Sequence, residues 1–213
     1  DKARVVVSLG ADFLGTWISP VEFAAAWSPH RVPVEGNARM SYHVQLEGRM
    51  SLTGSNADRR YRLAPDQYAA FLSSLACDLA ERAGEPAPAG AIGTPPIPQA
   101  KLAHLADRLW HARGESLVLC DSQDVEVQLL VNAVNHYLDN YGKTVDIARP
   151  SLQKQCNDAE TLKLLAELNS GDVSALIVAG TDLSHNLPDF EGMSKAIAEV
   201  PLVVSFAPRM DNL

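Results

Sequence analysis

Short apolar segments alternate with longer amphipathic segments along most of this chain, and this alternation restricts the fold more than any other feature. Apolar residues recur at three- and four-residue steps over 65–83, which predicts a helix that ends at Gly84. Val5–Leu9 and Ser116–Cys120 have the length of buried strands. Strands that alternate with helices of ten or more residues are typical of βαβ units. The sequence therefore predicts an α/β fold of Rossmann-like three-layer lobes with a mostly parallel sheet.

The same patterns predict the remaining elements. Residues 51–58 are polar and are expected to form a loop. Further helices are expected at 20–27, 99–113, 125–140, 158–169 and 193–199, and further strands at 42–46, 61–63, 144–147, 175–179 and 202–206.

Internal similarity indicates two lobes of related design. A strand ends in Gly-x-Asp at Gly10-Ala11-Asp12 and again at Gly180-Thr181-Asp182, and a proline follows each of them. Chance similarity between two βα turns is the alternative, because glycine is common after strands. We expect a first α/β lobe at 1–147, with a flexible linker rich in Pro, Gly and Ala at 85–98. Residues 148–213 are expected to begin a second, related lobe that is truncated at its C-terminus.

Charge and hydropathy argue against two classes of partner. The formal net charge of −8 disfavours nucleic acid and docking on an anionic membrane by charge. No apolar run reaches the length of a transmembrane helix, and no signal peptide follows Asp1-Lys2-Ala3. We expect a soluble segment of a longer protein, without direct membrane insertion.

Candidate binding residues lie where predicted strands end. Gly10 and Gly180 allow close approach of a phosphate to the backbone, and Asp12 and Asp182 offer carboxylates to a ribose hydroxyl or a guanine edge. A tight turn capped by Asp is the alternative. Gly54 lies in a polar stretch whose N–H groups could hold an anion, with a structural turn as the alternative.

The sequence supplies no metal ligands or catalytic set that we can assign. Cys77, Cys120 and Cys156 lie far apart, without the paired spacing of zinc or iron–sulfur ligands. The six histidines lack an HExxH spacing, and neither a GxSxG elbow nor a P-loop occurs. We therefore expect this segment to hold no metal and no cofactor.

Five stretches of the chain, taken in order, resemble motifs of one known family. They are Leu9-Gly10-Ala11-Asp12-Phe13 with Ser19-Pro20, Arg49-Met50-Ser51-Leu52-Thr53 with Ala57-Asp58, Arg62-Leu63-Ala64-Pro65-Asp66, Asn140-Tyr141-Gly142, and residues 175–188. This order is similar to the two Gly-x-Asn-Pro loops and intervening motifs of the molybdopterin oxidoreductases. The likeness covers most of the chain.

Departures from the family pattern suggest a particular branch. Asp12-Phe13 and Asp182-Leu183 replace the Asn-Pro of both loops, and no molybdenum ligand can be assigned. Residues 51–58 are most similar to the large iron–sulfur subunit of alternative complex III, a quinol:electron-acceptor oxidoreductase. The molybdopterin-like half of that subunit is thought to have lost its cofactor. The resemblance implies a parent protein with iron–sulfur clusters, in preference to molybdopterin, on the periplasmic side of the cytoplasmic membrane.

Three functions follow from these residues and this resemblance. The first is a non-catalytic structural and interaction segment, whose partners are other parts of its own chain and the subunits of a membrane-associated respiratory complex. The second is the cofactor-binding domain of an active molybdopterin (bis-guanine-dinucleotide) oxidoreductase. The third is a stand-alone α/β protein that binds a small molecule.

Overall fold

The computed structural model describes residues 2–33, 40–90, 94–151, 157–181 and 190–207. The chain forms two compact units, Asp1–Lys154 and Gln155–Leu213. Among the described residues, no helix combines the length and the apolar composition that crossing a membrane requires.

The first unit is built around a four-stranded sheet in the order β3-β2-β1-β4, in which every neighbouring pair is parallel. The fold is therefore α/β, as the alternation of elements predicts. In chain order the elements are β1 (Val5–Leu9), α1 (Pro20–Trp27), β2 (Tyr42–Glu47), α2 (Leu52–Ser55), β3 (Arg59–Arg62), α3 (Tyr68–Ala83), α4 (Gln99–His111), β4 (Ser116–Cys120) and α5 (Val125–Tyr137).

The main hydrophobic core lies between one face of this sheet and the helices α3, α4 and α5. Strand alternation directs Val7, Val44 and Val118 to this face. Phe71 and Leu75 of α3 pack there and are fully buried. Burying such side chains contributes about 1.5–3 kcal/mol each, so this layer is a major source of hydrophobic stabilisation in the unit.

The opposite face of the sheet is covered by α1 and by aromatic side chains. The Trp27 ring meets the His43 ring edge-on, with centroids 6.1 Å apart, and the Phe13 ring lies 5.3 Å from the same histidine. Helix α1 has no fully buried residue, and an apolar cavity of about 150 Å³ remains beneath it. Helices thus flank both faces of the sheet in a Rossmann-like, three-layer arrangement, in which this second layer is the thinner.

The described part of the second unit contains a parallel pair of strands and two helices. The elements are α6 (Asp158–Ser170), β5 (Leu176–Val178), α7 (Phe190–Ala198) and β6 (Val203–Ser205). Its described core is small and is formed by Leu168, Met193, Ala196 and Ile197.

Two predictions of local structure from the sequence, a loop at 51–58 and a strand at 144–147, are wrong. Residues 51–58 are not all loop, because the Ser51 hydroxyl accepts from the Gly54 N–H at 3.0 Å and starts the short helix α2. Residues 144–147 form no strand, because the Val145 N–H donates to the Asn140 carbonyl in a turn. A single bridge between Tyr141 and Val145 is all the pairing described there.

The expected linker 85–98 makes specific contacts in its described part. The Tyr137 hydroxyl donates to the Pro86 carbonyl at 2.9 Å, and Ile97 is buried in the main core. The flexibility that its composition suggests stays a prediction.

Candidate functional site

The strand order creates a switch point between β1 and β4. The chain passes from β1 outward to β2 and β3, and then returns to the other side of β1 as β4. In open α/β sheets, the crevice outside the carboxyl ends of two such strands is where ligands bind. We call this place the switch-point crevice, and Gly10 and Asp121 lie at its floor because they directly follow β1 and β4.

Gly10 is required by both its backbone conformation and its surroundings. Its φ is +69°, in the left-handed region that favours glycine, and a Cβ there would overlap the Asp121 carboxylate. Burial raises the pKa of Asp121 above its ordinary value. The close approach that the sequence predicts at Gly10 is therefore made by a side chain of the same chain.

Asp12 joins the loop after β1 to helix α2. Its Oδ1 accepts from the Thr53 N–H at 3.0 Å and from the Thr53 hydroxyl at 2.8 Å, and its Oδ2 accepts from the Thr16 hydroxyl at 3.1 Å. Burial opposes ionisation of this carboxyl, but these hydrogen bonds outweigh it and lower its pKa. The carboxylate thus occupies donors that an external anion would otherwise use.

Glu47 is a second carboxylate that accepts hydrogen bonds from the chain itself, and it lies beside Gly54. Its carboxylate accepts from the Ser51 hydroxyl at 2.6 Å and from Arg60 Nε at 2.6 Å, and a Cβ at Gly54 would overlap it. Burial favours the neutral acid, yet the hydrogen bonds from Ser51 and Arg60 lower the pKa of Glu47. Gly54 therefore makes room for an internal carboxylate.

The helix that leaves the crevice is also capped by the chain itself. Asp124 accepts from the N–H groups of Glu126 and Val127 at the start of α5, at 2.8 and 3.1 Å. This side chain satisfies part of the positive end of the helix, where a phosphate would otherwise bind.

A cleft of about 940 Å³ extends from the crevice along the outer edge of β4 and the flank of α5. The backbone groups of Val118 on that edge are paired with one side chain, because Asn135 Nδ2 donates to the Val118 carbonyl at 2.7 Å and Asn135 Oδ1 accepts from its N–H at 3.2 Å. Gln128 and Thr144 donate to the carbonyls of Cys120 and Ser116. All three outward carbonyls of β4 therefore have partners.

His43 is a buried histidine on the α1 face of the sheet. It is fully inaccessible to solvent, and neither ring nitrogen has a hydrogen-bond partner among the described residues. Burial, assisted by the positive charge of Arg31, lowers its pKa to about 4. This imidazole is neutral at physiological pH and is not placed in the crevice.

The structure brings together some of the candidates and not others. Gly10, Asp12 and Gly54 all lie at the carboxyl edge of the four-stranded sheet. Gly180 follows β5 in the second unit with φ +69°, and no described atom would lie within 4 Å of a Cβ there. Asp182 lies outside the described residues.

Sequence reasoning missed Asp121 and Asn135. Asp121 directly follows a predicted strand, as Gly10 does, and this position was the available signal. Asn135 interrupts the apolar stripe of α5 between Val131, Val134 and Leu138, which is the pattern of a polar side chain that points inward.

Comparisons with known proteins add no family. No protein-family model matches the chain, and no curated protein matches it.

Within the described residues, no three His, Cys, Asp or Glu side chains are grouped so that they could hold a metal ion.

Proposed function

We propose that this chain is a non-catalytic structural and interaction segment of a molybdopterin-oxidoreductase-like subunit in a respiratory electron-transfer complex. The observation that carries the proposal is the hydrogen bonding of Asp12 to Thr53. At the place where this fold usually binds phosphates, a carboxylate of the chain itself accepts from the Thr53 N–H and hydroxyl groups.

The electrostatics of the crevice support the same function. Asp12 and Asp121 both place carboxylates near the ends of β1 and β4, and Asp124 caps the adjoining helix. Two like charges about 4 Å apart repel by roughly 4 kcal/mol at an effective dielectric near 20, enough to remove a modest affinity for a pyrophosphate.

The resemblance of the motifs to molybdopterin oxidoreductases suggests the partners and the location of this chain. The partners would be other parts of the parent chain and the subunits of the complex, and iron–sulfur clusters would belong to the parent protein. The periplasmic side of the cytoplasmic membrane is the proposed location.

A second function is the cofactor-binding domain of an active molybdopterin oxidoreductase. It is favoured by the position of the 940 Å³ cleft, which opens next to the switch point and is lined by Asp121, Ser122 and Gln123. In that case Asp121 would accept from a ribose or guanine donor.

Calorimetric titration of the chain with GDP, which carries the guanine and diphosphate groups of a pterin dinucleotide, distinguishes the two functions. We expect no heat of binding for the wild type. Micromolar binding that is lost in Asp12→Ala or Asp121→Asn would give first place to the cofactor-binding domain. Binding that survives both substitutions would place the nucleotide away from the crevice and would argue against both proposals.

A further inference from the structure

The two edges of the four-stranded sheet differ in whether their outward backbone groups have hydrogen-bond partners among the described residues. At the β4 edge, Asn135, Gln128 and Thr144 satisfy the outward carbonyls. At the β3 edge, the Leu63 N–H donates inward to the Glu47 carbonyl, so alternation points the backbone groups of Arg60 and Arg62 outward. No described residue pairs with the outward backbone groups of Arg60 and Arg62, so a further strand could form hydrogen bonds along the β3 edge.

This open edge is rich in arginine, although the chain as a whole is acidic. Arg49, Arg59 and Arg62 are exposed, in a protein with a formal net charge of −8. We call these three residues the arginine edge. Met50 and Leu52 beside it expose 65% and 55% of their surface, so the patch combines cations with apolar area.

The carboxylates beside the arginine edge are already paired. Arg60 binds the buried Glu47 at 2.6 Å, and Arg31 binds Asp58 at 2.6 Å. Within the described residues, none of the three arginines of the edge forms an ion pair with a carboxylate of the chain. Their charge is therefore available to a partner, and Arg with exposed apolar side chains is the composition of many protein interfaces.

We propose that the arginine edge binds an extended, acidic segment of a partner protein, which adds to β3 as a fifth strand. Backbone hydrogen bonds to Arg60 and Arg62 would supply affinity. Side chains alternate between the two faces of a strand, so acidic side chains on one face of the added segment would meet Arg62 and those on the other face would meet Arg59. The inference does not depend on whether the switch-point crevice binds a nucleotide. Its main rival is that the arginines only protect an exposed edge from self-association.

The test uses fluorescence anisotropy of the whole chain with a labelled peptide of repeated Glu-Glu-Val-Val, which places Glu on both faces of an added strand. We expect saturable binding that weakens as salt concentration rises. The triple variant Arg49→Gln, Arg59→Gln, Arg62→Gln should bind at least about tenfold more weakly. The charge-matched control Lys2→Gln, Lys101→Gln, Lys195→Gln changes three exposed cations elsewhere and should bind like the wild type.

Two further probes separate strand addition from simple charge attraction. A peptide of the same sequence with every backbone nitrogen methylated should lose binding, because neither of its edges can donate hydrogen bonds to β3. Equal binding of the methylated peptide, or tighter binding of a single-stranded oligonucleotide of equal charge, would overturn the proposal. So would a wild type that binds no peptide together with a triple Gln variant that self-associates, which is the result that edge protection predicts.

Discussion

His43 makes the stability of the first unit depend on pH. Its pKa is about 4 in the folded chain, against an ordinary value of 6.5, because burial of the imidazole and the positive charge of Arg31 oppose its protonation. The unfolded chain therefore binds more protons between these values. The contribution of His43 to the free energy of unfolding is fully present above pH 6.5. It is lost as pH falls toward 4 and amounts to about 3 kcal/mol in total.

Urea unfolding at a series of pH values measures this dependence. We expect His43→Phe to reduce the slope of unfolding free energy against pH between 4 and 6.5. The exposed His104 offers a matched control, and His104→Phe should retain the wild-type slope. A His43→Phe profile parallel to that of the wild type would show that other groups cause the dependence.

Gly10→Ala tests the close contact between the ends of β1 and β4. The substitution forces alanine into a left-handed conformation and pushes its Cβ into the Asp121 carboxylate. Gly84 has the same φ of +69° but no atom within 4 Å of a Cβ, so Gly84→Ala isolates the backbone cost of about 1 kcal/mol.

We expect Gly10→Ala to lower the free energy of unfolding by roughly 1–3 kcal/mol more than Gly84→Ala. In an Asp121→Ala background, the two alanine substitutions should cost about the same. Thermal or chemical unfolding of the single and double variants gives this coupling directly. An unchanged difference in the Asp121→Ala background would mean that the strain comes from elsewhere.

At the scale of elements, Asn135 acts on β4 as a neighbouring strand would. Besides pairing with Val118, its amide donates to the Val131 carbonyl and accepts from Asn140 Nδ2 at 2.9 Å. Removing it leaves buried backbone groups unpaired, and each such group costs about 1–3 kcal/mol.

We expect Asn135→Ala to lower the free energy of unfolding by about 3 kcal/mol, and to increase exchange at the Val118 amide. Asn132, one turn earlier on α5, is exposed, and its one hydrogen bond to a described side chain is accepted from the Tyr141 hydroxyl. Asn132→Ala should therefore change stability by less than about 0.5 kcal/mol. Equal effects of the two alanine substitutions would contradict the edge role of Asn135.

Local patterns predicted the long elements because those elements carry their own signal. The apolar run of β1 and the stripe of α3 are visible within a few residues of sequence, and the structure places both where they were expected. Helix α2 was missed because it spans four residues, and its first turn is held by Glu47 from the preceding strand. The partners of Asp12 were unpredictable for the same reason, since Thr53 lies 41 residues away.

At the scale of the whole molecule, the two units have separate cores. The first unit buries a continuous cluster that includes Phe71, Leu75 and Leu109, whereas the second buries Leu168, Met193, Ala196 and Ile197. Small domains bury a smaller fraction of their surface and are marginally stable. We expect residues 1–154 alone to unfold cooperatively, with a free energy close to that of the same unit in the whole chain.

Chemical unfolding followed by circular dichroism on the fragment and on the whole chain checks this expectation. The complementary fragment 155–213 serves as the comparison, and it should show little or no cooperative transition. A fragment 1–154 that does not unfold cooperatively would mean that its core depends on the remainder of the chain.

The pairing of Asn135 with Val118 also affects the order in which the sheet is built. It joins residues 17 positions apart, whereas β4 meets β1 across about 111 positions, as between Arg4 and Glu115. The entropy lost on closing a chain segment grows with its length, so β4 and α5 can associate before β1 arrives. Pulse-labelling during refolding would then find the Val118 amide shielded earlier than the Asp121 amide, which donates to Leu9. Strand β4 would then pair with β1 when its opposite edge is already bonded to Asn135. At that stage β4 could not form hydrogen bonds to a second chain along this edge.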